Sequence, residues 1–300
     1  MATVEANGLR IEYDCLGPPA APPVLLIGGL GAQLIDWPEA FCERLVGHGL
    51  RMIRFDNRDA GLSSHFDDDP APILAQVAVE MALGRHPSVP YTLSDMADDA
   101  VGLLEALGIG RAHIVGRSMG GMIAQLVASR HPERTASLVS LMATTGNPAL
   151  PPPTPEAVAG LGQTPPDPRR DPEGYLAQRM RRARANSGTA YAFDAPAWRA
   201  QMLASLRRAY DAAGIGRQMA ATLADGDRRA RLRRITAPTL VIHGNADLLL
   251  PLAGGEDTAA CVRGAELLVV DGMGHEIPPQ FWLVIADAIA RHVAAAQAAG

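Results

Sequence analysis

Hydrophobic positions along this chain change period repeatedly, and the changes divide it into alternating strands and helices. Leu9-Arg10-Ile11-Glu12-Tyr13 alternates with period two and predicts an early antiparallel strand. Val24 to Ile27 is a continuous apolar run, as expected of a strand covered on both faces. Pro38 to Val46 reads as the first helix, Arg51 to Phe55 as a strand, and Asp56 to Gly61 as a turn. From Ser94 to Leu107 the apolar residues Met96, Ala100, Leu103, Leu104 and Leu107 fall on one helical face, with Ser94 as the expected N-cap. Ala112 to Val115 is a short strand, Met122 to Ala128 a helix, and Ala136 to Met142 another strand. Repeated strand, helix, strand order predicts right-handed crossovers and a mostly parallel sheet.

The pattern then breaks. Pro148, Pro151, Pro152, Pro153, Pro155, Pro165, Pro166, Pro168 and Pro172 crowd a stretch that cannot be sheet interior. Tyr175 to Ala185 and Ala197 to Ala212 beyond it read as helices, and the core resumes near Leu232 to Ile235. Residues 1–146 and 231–300 are therefore expected to form one core, with 147–230 inserted as a helical cap. A second irregular insert, His65 to Pro90, carries Ile73, Leu74, Val77, Val79, Met81 and Leu83, which suit an entrance lining and core packing equally.

Between the Ala112 strand and the helix that follows it stands Gly116-Arg117-Ser118-Met119-Gly120. A G-x-S-x-G between strand and helix is a nucleophile elbow, a turn so sharp that the serine sits on strained backbone with its oxygen exposed. A nucleophilic serine needs a base, and the base needs an orienting acid. Asp247 follows the apolar run Pro238 to His243, and His275 follows Ala265 to Val270, which puts both on loops beyond strand ends. Gly272 and Gly274 are expected to loosen the second loop so that the imidazole can swing over the sheet edge. Asp271 is the rival acid but lies too near His275 in sequence, and His243 is better read as a structural hydrogen-bonding residue. His243 and Asp247 alone do not make a metal site, so no metal is expected. Gly28-Gly29-Leu30-Gly31 after the Val24 strand supplies a loop able to offer the Leu30 N–H as an oxyanion donor, with the Met119 N–H as the second.

These motifs resemble the α/β-hydrolase superfamily and, within it, the serine esterases similar to aclacinomycin methylesterase. The narrower likeness rests on Gly28-Gly29-Leu30-Gly31 with Asp36-Trp37-Pro38, on Arg54-Phe55-Asp56-Asn57-Arg58-Asp59 with Gly61-Leu62-Ser63, and on Tyr91-Thr92-Leu93-Ser94-Asp95-Met96. The order Ser118, Asp247, His275 is that of the superfamily. The chain departs from the pattern at Gly28, where many members carry a histidine, and at Arg117 beside the serine. The resemblance implies an α/β-hydrolase fold with helices on both sheet faces and a carboxylic ester as substrate, a methyl ester of a larger apolar acid among the options. A lactonase or perhydrolase would use the same three residues, and a ligand receptor of the same fold is the alternative outside enzymes. Dehalogenase and epoxide hydrolase relatives are disfavoured, because they carry aspartate at the position of Ser118. Gly29, Phe193 and Trp198 are the expected substrate contacts, with Tyr175, Met180, Met202 and Leu206 available beside them. Asp56, Arg58 and Asp59 are expected to brace their turn by ion pairing, and Arg117 to pair with Asp36 or Asp59.

Composition narrows the partners. With 300 residues, 48% of them hydrophobic, the chain can bury one large core and a cap. A net charge of −5 argues against a nucleic-acid surface. No run of about 18 apolar residues suggests a membrane span, and Met1 to Asn7 lacks the features of a signal peptide. Cys15, Cys42 and Cys261 are few, odd in number and scattered, which suits a reducing cytoplasm. The expected partner is a small-molecule ester, and no cofactor is expected.

Overall fold

The computed structural model describes residues 1–67, 69–158 and 165–299. Strands β1 (Ala2–Ala6), β2 (Leu9–Leu16), β3 (Pro23–Ile27) and β4 (Arg51–Phe55) open the chain, with helix α1 (Glu39–Gly47) before β4. Then come α2 (Leu74–Ala82), α3 (Leu93–Ala106), β5 (Ala112–Arg117), α4 (Met119–Arg130) and β6 (Thr135–Leu141). Between β6 and the next strand lie α5 (Pro155–Val158), α6 (Pro172–Ala185), α7 (Ala195–Arg208), α8 (Ala212–Asp225) and α9 (Arg229–Leu232). The chain ends with β7 (Thr239–Gly244), α10 (Leu252–Cys261), β8 (Glu266–Val270) and α11 (Pro279–Ala299).

The eight strands form one sheet in the order β1-β2-β4-β3-β5-β6-β7-β8. β2 pairs antiparallel with both β1 and β4, and every later pairing is parallel. β1 was not foreseen from the pattern. Its signal was Asn7-Gly8, whose φ values of +50° and +74° make the tight hairpin turn that the right-handed twist of paired strands favours. In β3 the strand period sorts the side chains: Leu25 and Ile27 join one core with Met96, Leu103 and Ile123, while Val24 and Leu26 join the other with Phe41, Leu45 and Ile285. Helices thus cover both faces, α3 and α4 on one and α1 and α11 on the other. The α3 cap is Thr92 rather than Ser94, because Asp95 stands three residues on and closes a reciprocal capping pair with it. The helix expected from Ala197 to Ala212 is α7, which ends at Arg208, and α8 follows it without having been foreseen. Gly214 and Gly216 lower the helix propensity of α8 and hid it in the sequence.

α4 lies unusually close to the sheet, and glycines allow it. A Cβ on Gly120 would stand 2.2 Å from the Ile27 carbonyl oxygen, and one on Gly116 would stand 2.0 Å from that of Gly120. Backbone faces backbone on both sides, so neither can yield. Gly120→Ala is expected to cost about 3 kcal/mol, which lowers the thermal midpoint by roughly 5 °C. Gly47→Ala, where a Cβ meets nothing within 4 Å, should leave the midpoint unchanged or slightly raised. Calorimetry of the two variants checks the contrast, and equal midpoints would refute the close-approach account.

His113 gives the fold a pH dependence. Burial in β5, with smaller contributions from His292 and Arg111, pushes its imidazole from the ordinary 6.5 down to about 4. As pH falls through that window the unfolded chain takes up a proton that the native histidine refuses, so stability falls. The loss should reach at most about 3 kcal/mol near pH 4. Denaturant titrations at pH 7 and pH 4.5 should show this loss, and His113→Asn should flatten it.

Candidate active site

Ser118 stands where β5 turns into α4, with φ +55° and ψ −125°. A non-glycine residue there is strained by about 1–3 kcal/mol and persists only because its surroundings hold it. Its N–H donates to the Leu141 carbonyl at 2.9 Å, and its own carbonyl accepts from Gly121 and Met122. A Cβ on Gly121 would stand 2.7 Å from the Ala143 side chain, so this glycine too keeps the elbow tight.

The structure brings Ser118, His275 and Asp247 into one hydrogen-bonded line. His275 Nε2 lies 2.9 Å from Ser118 Oγ, and Nδ1 lies 2.6 Å from Asp247 Oδ2. Both bonds are satisfied by one tautomer: Nδ1–H donates to the carboxylate and Nε2 accepts from the serine hydroxyl. Asp247 is buried, and its other oxygen accepts the Leu249 and Leu250 N–H groups at 2.9 Å each. Burial pushes this carboxyl up, but the His275 charge, His243 and those amides outweigh burial and hold it well below the usual carboxylate range. It is therefore ionised, and an acceptor only, at neutral pH. His243 Nε2 donates to the Leu250 carbonyl at 2.7 Å, which is the structural role expected of it. Asp271 is exposed and accepts from Asn245 on the surface, away from the imidazole.

Gly29 stands directly against the serine, since a Cβ there would lie 3.3 Å from Ser118 Cβ and 3.8 Å from its Oγ. Next to it, the Ala32 N–H donates to the Gly29 carbonyl at 3.1 Å, and Gly31 has φ +64°. That closes a type II turn with Leu30 and Gly31 at its centre. Among the described residues no protein acceptor takes the N–H of Leu30 or of Met119. The carbonyl of Gly28 accepts from Asn57 Nδ2 at 3.1 Å.

Two expectations are corrected. Gly272 and Gly274 do not loosen the histidine loop. A Cβ on Gly274 would stand 2.3 Å from the Asn186 carbonyl, and that carbonyl accepts the His275 N–H at 2.7 Å. The glycines let this loop pack against residues 186–190, where Thr189 and Ala190 donate to the Gly272 carbonyl. Arg117 pairs with neither Asp36 nor Asp59. Its guanidinium lies over the Trp37 ring, 5.5 Å from the centroid. Asp36 instead accepts from Gln33, Gln201 and Ser205, and Asp59 is taken by Arg217 and Tyr91.

Asp56, Arg58 and Asp59 are ion-paired as expected, each to a different helix. Asp56 meets Arg208 of α7 at 2.6 Å, Arg58 grips Asp99 of α3 with two bonds of 2.6 and 2.7 Å, and Asp59 takes two bonds of 2.8 Å from Arg217 of α8. Phe193 and Trp198 are half-buried and tilt against each other, ring centroids 6.3 Å apart, with Arg184 over Phe193. The ring contacts of this pair are with each other and not with the serine loop. Gln33, Gln201, Arg208 and Gln218, which tie residues 28–36 and 56–59 to α7 and α8, were not foreseen. Their partners lie more than 150 residues away, and no local pattern marks them.

A family model described as the alpha/beta hydrolase fold matches residues 22–280. The chain is 30% identical to the rhodomycin D methylesterase of Streptomyces peucetius, over 94% of each chain. It is 29% identical to the rhodomycin D methylesterase of Streptomyces sp. strain C5, over 98% of each. Among solved structures, the enol-lactonase from Burkholderia xenovorans LB400 superposes with a TM-score of 0.70 at 24% identity, covering 99% of this chain and 100% of that one, a likeness of fold. No helix among the described residues is long and apolar enough to cross a membrane. The chain belongs to the alpha/beta hydrolase fold family and is similar along almost its whole length to methylesterases within it.

Proposed function

We propose that this chain, a carboxylic ester hydrolase by family, cleaves its ester through an acyl-enzyme formed on Ser118. One observation carries the reading: an unbroken hydrogen-bonded line from Asp247 through His275 ends on a serine held in strained backbone beside two uncommitted amides. His275 Nε2 takes the hydroxyl proton as Ser118 Oγ attacks the ester carbonyl carbon. The Leu30 and Met119 N–H groups receive the oxyanion, each worth on the order of 3 kcal/mol in the transition state. The bond to the alkoxy group then breaks, and that group leaves as the alcohol with the proton from Nε2. Water attacks the acyl carbon, gives its proton to the same nitrogen and releases the acid, and the proton returns to Ser118. No step uses a metal or an organic cofactor.

Asp247 stays anionic throughout and stabilises the imidazolium form of His275 through its 2.6 Å bond. Residues 147–230 are read as a cap, because α6, α7 and α8 lie there and both catalytic loops are tied to it. The methylesterase relatives support a methyl ester as substrate, with methanol as the leaving alcohol.

A screen of methyl esters, p-nitrophenyl esters and lactones tests the substrate class, and turnover of lactones alone would displace the esterase reading. Ser118→Ala should fold normally and lose several orders of magnitude in kcat. Asp247→Asn should lower kcat by roughly 10⁴ through loss of the productive tautomer, while Asp271→Asn stays near the unaltered enzyme. The reverse ranking of the two aspartates would move the acid elsewhere.

A further inference from the structure

Gln218 is wholly buried in α8, and its side chain is bonded to two backbone groups of the core rather than to its own helix. Its Oε1 accepts the Gly31 N–H at 2.8 Å, and its Nε2 donates to the Arg58 carbonyl at 2.6 Å. The first of these bonds falls on the central peptide of the Gly29–Ala32 turn, the peptide that follows the one carrying the Leu30 N–H, so it holds Leu30 from its carbonyl side. Flipping that peptide is what interconverts type II and type I turns. While Oε1 holds the Gly31 N–H, the peptide cannot flip without leaving both groups buried and unpaired. The second bond fixes which way the amide faces, since the Arg58 carbonyl accepts only from an N–H.

The same helix is seated firmly around this point. A Cβ on Gly31 would stand 2.9 Å from Ile215 Cγ1, so the turn rests on α8 with no room to spare. Arg217, adjacent to Gln218, grips both oxygens of the buried Asp59 at 2.8 Å. We propose that Gln218 is a positioning residue for ester hydrolysis: from the segment between β6 and β7 it locks the Gly29–Ala32 turn so that the Leu30 N–H points at the developing oxyanion. The inference rests on the acyl-enzyme reading above, and it makes the docking of α8 a condition of transition-state stabilisation rather than of substrate binding alone.

Gln218→Met keeps the volume and removes both hydrogen bonds. Its kcat on a p-nitrophenyl ester should fall roughly tenfold to a hundredfold while KM stays within about threefold. An alkyl boronic acid forms a tetrahedral, anionic adduct with an active-site serine, so its inhibition constant should rise by the factor that kcat/KM loses. Leu176→Ala, a buried cap substitution distant in sequence from the turn, serves as a control for loss of thermal stability and should keep kcat and boronate affinity near those of the unaltered enzyme. If Gln218→Met retains kcat and boronate affinity, or if Leu176→Ala loses as much of both, Gln218 only packs the interface and the proposal is overturned. Fluorophosphonate labelling of the unaltered enzyme separates the two levels. No adduct on Ser118 would bring down the acyl-enzyme reading and this inference with it, whereas a labelled enzyme with an indifferent Gln218→Met overturns the inference alone.

Discussion

The close approach of α4 to β3 and β5 is the constraint on which the rest of this site depends. Gly120 lies against the carbonyls of Ile27 and Gly28, so the end of β3 and the start of α4 occupy the same small volume. Three things follow from one contact. Ser118 is forced to positive φ, its oxygen is left outside the turn, and the loop that leaves β3 begins beside it. The strain of about 1–3 kcal/mol at Ser118 is balanced by its bond to Leu141 and by the burial of α4, whose residues from Met119 to Ala128 are all buried. Ser118 and the Leu30 and Met119 amides are thus positioned by rigid backbone.

A second layer of constraint comes from the segment between β6 and β7, which is tied to the core on both sides of the serine. On one side Asn186 to Ala190 hold the histidine loop by backbone bonds. On the other, α7 and α8 hold the turns after β3 and β4 through Gln33, Gln218 and the pairs Asp56–Arg208 and Asp59–Arg217. The two pairs differ physically. Burial pushes the Asp56 carboxyl up by more than the Leu62 and Leu34 amides and Arg208 pull it down. For Asp59, Arg217, Tyr91 and the Phe66 amide together outweigh burial and hold it low. Buried pairs of this kind add little net stability over apolar packing, but losing one partner strands the other charge. They act here as locating contacts, fixing how α7 and α8 sit over the sheet edge.

The fold and the strand-end positions of Ser118, Asp247 and His275 were legible in the sequence because they rest on local rules. The alternating run at Leu9 and the short apolar runs at Val24 and Arg51 read as strands that the sheet contains, and the G-x-S-x-G between a strand and a helix located the serine. Asp56, Arg58 and Asp59 were recognisable as charged residues in a turn that needs bracing, though their partners on α7, α3 and α8 were not. β1 escaped notice although Asn7-Gly8 announced its hairpin, and α8 escaped because its glycines obscured the helical pattern.

The sequence by itself determined the alternation of strand and helix, the glycines that let α4 approach the sheet, and the strand-end loops on which Ser118, Asp247 and His275 stand. These follow from backbone sterics and side-chain periodicity, which act between residues a few positions apart. Only the tertiary structure decided that Asp247 rather than Asp271 faces the imidazole, that Gly272 and Gly274 admit the 186–190 segment instead of freeing the loop, that Arg117 lies on Trp37, and that Gln218 holds the turn carrying Leu30. Each of those joins groups 20 to 190 residues apart. Their geometry is set by how whole elements pack, and a buried polar group takes whichever partner that packing brings within reach.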